Sequence, residues 1–195
     1  MKQILLPLLV FGFLPPLNVS AKNINPVKAF KDSTVASIPS AQDMLAEIMS
    51  VTGLQVNFEL KEADVNNIQA SISHRKRYIL YNPAYIEWIS KVTRDKWAVM
   101  ALLAHEVGHH LNGHTIRKGG SSIPVELEAD EFAGFILYKL GATLEQSQEV
   151  MKYIARKEDS NTHPARVSRM LAIQKGWNKA ANENIAVRKK DNTGS

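Results

Sequence analysis

Two histidines and a glutamate stand close together in the segment 105–109, and their types and spacing suit metal chemistry. The segment reads His-Glu-Val-Gly-His, so His105 and His109 are four positions apart and Glu106 is beside the first of them. On an α-helix this spacing places both imidazoles on one side, about one turn apart. Zinc prefers nitrogen donors in a tetrahedral shell, so the pair supplies half of a zinc site. Glu106 is then placed to act as a general base.

The pattern is rarely produced by composition alone. The chain has 6 histidines in 195 residues, and a random chain of this composition would contain about 0.01 such matches. If both histidines simply packed in the core, the acidic residues that follow them would need a separate explanation. The chain has no cysteine, so any metal site must use His, Glu and Asp.

A third protein ligand must come from further along the chain. The extended motif HExxHxxGxxH needs a glycine and a histidine at the positions where this chain has Asn112 and Thr115. A glutamate from a following helix is the other common third ligand, and Glu126 offers it. Asp130 lies four residues later on the same helical face, so we expect it to accept a hydrogen bond from a ligand imidazole. Three protein ligands leave one coordination position open, as in catalytic zinc sites.

Other polar residues near the motif receive different interpretations. His110 and His114 are close to the expected end of the motif helix, where histidines usually serve the last carbonyls and the helix dipole. Glu128 and Glu131 point away from the face of Glu126, so both are expected to be solvated. His163 follows a polar run and precedes a proline, so a mobile loop delivers it either as an oxyanion partner or as a ligand that occludes the metal. Occlusion is the favoured role.

The motif lies within a long helical pattern that must position it. Residues 95–112 contain no proline, and Gly113 is suited to end the helix in a left-handed conformation. Six residues fall on one arc of about 120° and are predicted to face the core: Trp97, Met100, Leu103, Ala104, Val107 and Leu111. The two motif histidines lie on the far side of the helix, where we expect a cleft.

The rest of the chain predicts an α+β fold that is mainly helical. Helices are expected from Ser40 to about Gly53, from Pro83, from Pro124 to about Leu140, over 143–156, and from Pro164 to just before Gly176. Strands are expected at 55–60, 68–73 and 78–81, with a turn at 74–77. Residues 40–177 then form one catalytic domain, 22–39 a linker or arm, and 178–195 a polar, disordered tail.

The first 21 residues have the layout of a secretory signal peptide. A basic residue precedes an apolar run over 4–14, and small residues lead to a cleavage point after Ala21. A retained anchor is the alternative, but the run is shorter than a membrane span. We therefore expect export to the periplasm or the extracellular space. The net charge of +5 comes without a basic stripe interleaved with aromatics, so nucleic acid is not an expected partner.

Several segments together resemble a known family. Residues 104–109 and 126–133, followed by 162–164 and Arg169, look like the HtpX and CAAX-prenyl-protease group of gluzincin metallopeptidases. The resemblance covers residues 40–176 and implies a zincin-like domain with one zinc ion. It implies His105, His109 and Glu126 as zinc ligands and Glu106 as the general base. The short gap between the second and third ligands leaves little room for an insertion over the cleft, so an open site is expected.

The expected activity is hydrolysis of internal peptide bonds in envelope proteins, including misfolded ones. The substrate is a protein or peptide, which an edge strand within 68–81 would hold by backbone pairing, although an ordinary sheet edge is an equal alternative. No stable membrane span is expected after signal cleavage, whereas peripheral association with the envelope is compatible with the sequence. The alternatives are a cytoplasmic ImmA/IrrE-type protease that cleaves regulators, and a metal-stabilised binding or chaperone module without catalysis.

Overall fold

The structure is a computed structural model that describes residues 39–116 and 120–193, with side chains described as far as residue 186. The predicted signal peptide and nearly all of the predicted linker lie outside the described residues. Within the described residues, no helix is both long and apolar enough to span a membrane.

The chain forms mainly helices together with one small three-stranded sheet, so the predicted α+β class with mainly helical content is confirmed. In chain order the elements are α1 (Ala41–Ser50), β1 (Glu59–Glu62), β2 (Ile68–Ser73), β3 (Lys76–Tyr81), α2 (Pro83–Thr93), α3 (Lys96–Leu111), a 3₁₀ turn (His114–Ile116), α4 (Ile123–Lys139), α5 (Leu144–Gln148), α6 (Met151–Ile154) and α7 (Arg166–Thr193).

Helix α3 carries the His-Glu-Val-Gly-His motif and is the central element of the fold. The Asp95 side chain caps its start by accepting a hydrogen bond from the backbone N–H of Trp97 at 3.0 Å. Gly113 follows its end with φ of +71°, as the sequence predicts. Every residue from Ala98 to His110 is buried. The prediction of one core arc opposite a cleft is therefore wrong, because other elements cover α3 on all sides.

The sheet has the strand order β1-β3-β2, so β2 is an edge strand that pairs with β3 alone. β1 runs parallel to β3, and β2 runs antiparallel to it with Ala70 opposite Ile79. The predicted strand at 55–60 is displaced and forms only from Glu59. The turn between β2 and β3 contains two residues, His74 and Arg75, which both have positive φ. This is the φ pattern of tight hairpins with a type I′ turn, so β3 begins earlier than predicted.

Helix α7 packs along α4 and extends far beyond its predicted end. The predicted stop before Gly176 is wrong, since α7 continues to Thr193 and residues 178–193 of the predicted tail are helical. Gly176 instead lies where two backbones meet, because a Cβ there would fall on the carbonyl oxygen of Glu131 in α4. Gly134 meets the carbonyl oxygen of Ile173 in the same way. These glycines allow two helices to approach closely.

The segment between α4 and α7 also differs from its predicted form. Thr143 and Gln146 form a capping box at the start of α5. The single helix expected over 143–156 is divided into α5 and α6, with turn residues between them. Helix α7 begins at Arg166, two residues after the predicted proline start. The Asp159 carboxylate accepts a hydrogen bond from the backbone N–H of Ala165 at 2.5 Å, which ties the preceding loop to this helix start.

Candidate metal site

Helices α3 and α4 bring His105, His109 and Glu126 together in the interior. The two Nε2 atoms of the histidines are 3.0 Å apart. Glu126 Oε2 is 3.4 Å from Nε2 of His105, and Glu126 Oε1 is 3.6 Å from Nε2 of His109. All three side chains are buried. They form a group of ligand atoms that could hold a metal ion.

The two separations between Glu126 and the histidines are longer than hydrogen bonds and close to the spacing of ligands around a tetrahedral metal ion, whereas the two histidine nitrogens are at hydrogen-bond distance. Zinc bonds to nitrogen and oxygen are about 2.0–2.1 Å, which places neighbouring ligand atoms about 3.3–3.4 Å apart. Charge-assisted hydrogen bonds are shorter, at about 2.7–2.9 Å. In addition, Glu126 Oε2 is buried and makes no hydrogen bond among the described residues, and Nε2 of His105 lies 3.4 Å from it. A buried acceptor without a hydrogen bond lowers the stability of the folded state unless a cation or a donor satisfies it.

The balance of buried charges also fits a cation. The site buries three carboxylates, those of Glu106, Glu126 and Asp130, and one guanidinium, that of Arg169. With neutral histidines and all three carboxylates ionised, the sum over these four groups is −2. Buried charges require compensation, and a divalent cation at the three converging ligand atoms would supply it.

His105 is oriented by Asp130, as the sequence predicts. Nδ1 of His105 lies 2.9 Å from Asp130 Oδ1. Arg169 of α7 donates to both oxygens of Asp130, from Nε at 2.7 Å and from Nη2 at 2.6 Å. Burial alone would raise the pKa of Asp130, but the charges of Arg169 and His105 hold it below its usual range. Asp130 is therefore an anion that accepts the Nδ1 proton of His105 and leaves Nε2 directed at the site.

The pKa values of the two candidate ligand histidines are shifted in opposite directions in the metal-free protein. Burial lowers the pKa of His109 to about 3, so its imidazole is neutral, which is the form that binds metals. Burial also disfavours the charge on His105, but Asp130 and Glu126 outweigh it and raise the pKa to about 10. A proton on His105 thus serves as the positive charge when no metal is bound. Metal binding would displace that proton.

His109 has a partner that the sequence interpretation missed. Its Nδ1 lies 3.0 Å from Nδ1 of His114, whose Nε2 is 2.8 Å from Glu128 Oε2. His114 is buried, so the expectation that it serves the helix end is wrong. Glu128 is about half exposed, but it is not simply solvated. The only signal in the sequence was the left-handed glycine before His114, which turns the chain back towards α3.

Glu106 stands beside the ligand group and is not part of it. Its Oε2 accepts a hydrogen bond from the backbone N–H of Ala70 in β2 at 2.6 Å. Burial raises the pKa of Glu106 to about 7, although the charge of His105 and the bond from Ala70 act in the opposite direction. A carboxylate with a pKa near neutrality is well matched to accept and return a proton. Ala70 contributes through its backbone, which no side-chain pattern could reveal.

Ser121 and Tyr85 are further groups near the site that carry no sequence signal. The Ser121 hydroxyl donates to Glu126 Oε1 at 2.5 Å, whereas Oε2 contacts Nε2 of His105 at 3.4 Å. Burial raises the pKa of Tyr85 beyond its usual range, and the charges of Arg169 and Glu106 both act on its phenol. The phenol therefore stays protonated close to these two residues.

His163 lies near the site but not among the converging ligand atoms. The Ser121 hydroxyl is 3.4 Å from the carbonyl oxygen of Thr162, so the loop before α7 approaches Glu126. Burial lowers the pKa of His163, and the charges of Glu126 and Arg169 act on its ring. The group that could hold a metal contains His105, His109 and Glu126 without His163.

The remaining expectations concern His110, Glu131 and the openness of the site. His110 Nε2 lies 2.9 Å from the carbonyl oxygen of Tyr78, so this residue ties α3 to β3 and does not serve the helix end. Glu131 pairs with Lys175 at 2.7 Å at the surface. The expectation of an open site is wrong, because His105 and Glu126 are at most 1% exposed.

Comparison of the chain with protein-family models, with curated proteins and with solved structures finds no match. The proposed function therefore depends on the residues of the chain, on their geometry and on the resemblance of the short motifs.

Proposed function

We propose that the chain is a zinc-dependent metalloendopeptidase with a zincin-like fold. His105, His109 and Glu126 hold the zinc ion, and Glu106 is the general base. The observation that carries the proposal is the convergence of the buried side chains of His105, His109 and Glu126, whose ligand atoms are 3.0 to 3.6 Å apart, beside the buried carboxylate of Glu106, which is not a ligand. The resemblance to the HtpX and CAAX-prenyl-protease group supports the same assignment.

The donor set favours zinc. Two neutral imidazoles and one carboxylate form the ligand set of the thermolysin type of catalytic site, which keeps a fourth position for water or substrate. When bound, zinc would act as a Lewis acid that polarises the scissile carbonyl and makes a water molecule easier to deprotonate. Ser121 would hold one oxygen of Glu126 while the other oxygen faces the ion.

Glu106 would carry the proton transfers. It would accept a proton from the attacking water and later deliver it to the leaving amine. The bond from the Ala70 N–H fixes Oε2 of Glu106, so Oε1 is the oxygen that would accept the proton. The burial that raises the pKa of Glu106 also favours its protonated form, which would deliver the proton to the leaving amine. A module that needed only a structural metal would have no use for such a base, which favours the catalytic reading over a binding module.

Strand β2 is the edge of the sheet beside Glu106, and because Ile68 and Ala70 are buried, an extended peptide would reach this edge only after the residues that cover it move apart. The Ala70 N–H points towards Glu106, away from β3. Because strand residues alternate, the backbone groups of Ile68 and Ile72 also point away from β3. A substrate segment that paired with this edge would lie next to Glu106 with its carbonyl groups regularly spaced. We therefore propose a protein substrate in an extended or unfolded state.

Proteins of the cell envelope are the proposed substrates, misfolded ones among them, because the first 21 residues have the layout of a signal peptide. Cleavage after Ala21 predicts that exported material begins at Lys22. An intact-mass measurement on such material checks this, and a mass that includes residues 1–21 would favour a retained anchor. Recovery of full-length protein from the cytoplasm alone would favour the cytoplasmic alternative.

The proposed function is tested by metal content and proteolysis on the same purified protein. We expect about one zinc ion per chain by mass spectrometry, and digestion of unfolded casein that stops on chelation and returns with added zinc. Digestion that survives complete chelation would refute the zinc-dependent mechanism. Stoichiometric zinc without digestion of any unfolded protein would favour the binding module.

A further inference from the structure

The second ring nitrogen of His109 is the start of a chain of hydrogen bonds that leads to the protein surface. His109 Nδ1 contacts His114 Nδ1 at 3.0 Å, and His114 Nε2 contacts Glu128 Oε2 at 2.8 Å. His114 is 2% exposed, so both of its ring nitrogens must find partners inside the protein. Glu128 is the outer end of the chain and is half exposed.

The chemistry of the two rings allows one direction for these bonds once His109 ligates through Nε2. The proton of His109 is then on Nδ1, which donates to Nδ1 of His114. The proton of His114 is consequently on Nε2, which donates to the carboxylate of Glu128. Each nitrogen and oxygen of the chain is satisfied in this arrangement, and both imidazoles are neutral. Reversal of either bond would place a proton on the nitrogen that must face the metal.

We propose that His114 and Glu128 are positioning residues for the metal site, which fix the tautomer and the ring orientation of His109. The proposal rests on the metal site proposed above. Ligand histidines usually donate their other N–H to a carboxylate or carbonyl. His105 follows that pattern with Asp130, whereas His109 reaches its carboxylate through an intervening imidazole.

The fold explains why His114 and Glu128 meet on the Nδ1 side of His109. Gly113, with φ of +71°, turns the chain at the end of α3 so that the 3₁₀ turn places His114 beneath the preceding helix. Glu128 is on α4, two residues after the ligand Glu126. One helix therefore supplies the third ligand and also the carboxylate that ends the chain from His109. A shift of α4 along α3 would disturb both together.

The test measures zinc affinity and a ring signal in the full chain, with variants that differ in what they remove. His114→Phe fills the space of the ring and removes the acceptor for His109. Glu128→Gln keeps the shape and an acceptor oxygen, but it removes the charge. Glu131→Gln is the matched control, since it neutralises another carboxylate of α4 whose partner is Lys175 at the surface. Zinc affinity is measured by competition with a chromophoric chelator.

We expect His114→Phe to weaken zinc binding by about 10- to 100-fold, which is the usual effect of losing such a partner. Glu128→Gln should weaken it by a smaller factor, and Glu131→Gln should leave it unchanged. In zinc-loaded protein with ¹⁵N-labelled histidine, the Nδ1–H of His109 should give a slowly exchanging signal. That signal should shift in Glu128→Gln and be lost to solvent exchange in His114→Phe.

Each outcome supports or overturns the proposal. Parental zinc affinity in both His114→Phe and Glu128→Gln would overturn the positioning role while the metal site stands. A lower free energy of unfolding with unchanged affinity and an unchanged His109 signal would show a structural role only, which also overturns it. If His114→Phe does not fold, the half-exposed position of Glu128 lets Glu128→Gln decide. A parent that binds no zinc would overturn the proposed function as well.

Discussion

Asp130→Asn separates the role of Asp130 at the metal from its role in stability. The carboxylate accepts from His105 on one side and takes both hydrogen bonds of Arg169 on the other, and it is 0% exposed. The asparagine oxygen can still accept from His105. Its amide group would then face Nε of Arg169, so two donors meet and the buried guanidinium loses the negative charge of Asp130.

The magnitudes follow from these contacts. Loss of one partner of a buried ion pair costs about 3–5 kcal/mol of folding free energy, which would appear in urea unfolding of the metal-free protein. Loss of the partner of a ligand histidine should weaken zinc binding by about 10- to 100-fold, which corresponds to about 1.4–2.7 kcal/mol. Chelator competition measures the second effect. Glu131→Gln, in the next position of α4, should change neither quantity by more than about 0.5 kcal/mol.

A double variant isolates the two effects. Asp130→Asn combined with Arg169→Leu also removes the buried guanidinium that faces Asp130, so part of the lost stability should return. Zinc affinity should remain low, because His105 still lacks a charged partner. Parental zinc affinity in Asp130→Asn would refute the reasoning about His105, and parental stability would refute the reasoning about Arg169.

Three further variants test other parts of the site and the fold. Glu126→Ala should lower zinc occupancy below one per chain, and stoichiometric zinc by mass spectrometry would remove Glu126 from the ligands. Gly176→Ala should lower the free energy of unfolding by about 1–3 kcal/mol or more, because the added methyl group meets the Glu131 carbonyl of α4. An unchanged midpoint in urea unfolding would contradict that packing. His163→Ala should raise basal casein digestion if His163 occludes the site, or lower turnover by about 10²- to 10³-fold if it stabilises the oxyanion. An unchanged rate would reject both roles.

Local signals in the sequence located most of the elements, because their chemistry acts over a few residues. Ser40, where α1 was expected to begin, forms a capping box with Asp43, and its hydroxyl accepts a hydrogen bond from the Asp43 N–H at 3.1 Å. Asp95 and Gly113 bound α3 as expected. Helical periodicity was sufficient to predict that His105 and His109 converge, whereas Glu126 was a candidate from the next helix that the family resemblance supported.

Features that depend on tertiary contacts could not be predicted from local patterns. From the sequence alone, Gly176 cannot be distinguished from a glycine that ends a helix. Only the close approach of α4 shows that it is a packing position. The apolar arc of α3 was real, but the polar side is also buried, since Asp130 and Arg169 satisfy groups that were expected to meet solvent. Ala70 acts through its backbone N–H, whose direction depends on the register of β2 against β3.

Glu106→Gln tests the central claim most directly, because the glutamine can keep the bond from the Ala70 N–H and leaves all three ligands in place. We predict stoichiometric zinc, parental stability, and a fall in casein digestion of roughly 10²- to 10⁴-fold or more through loss of the proton acceptor. Glu131→Gln, measured beside it, should digest casein at the parental rate. A Glu106→Gln protein that retains zinc and digests casein as fast as the parent would contradict the account.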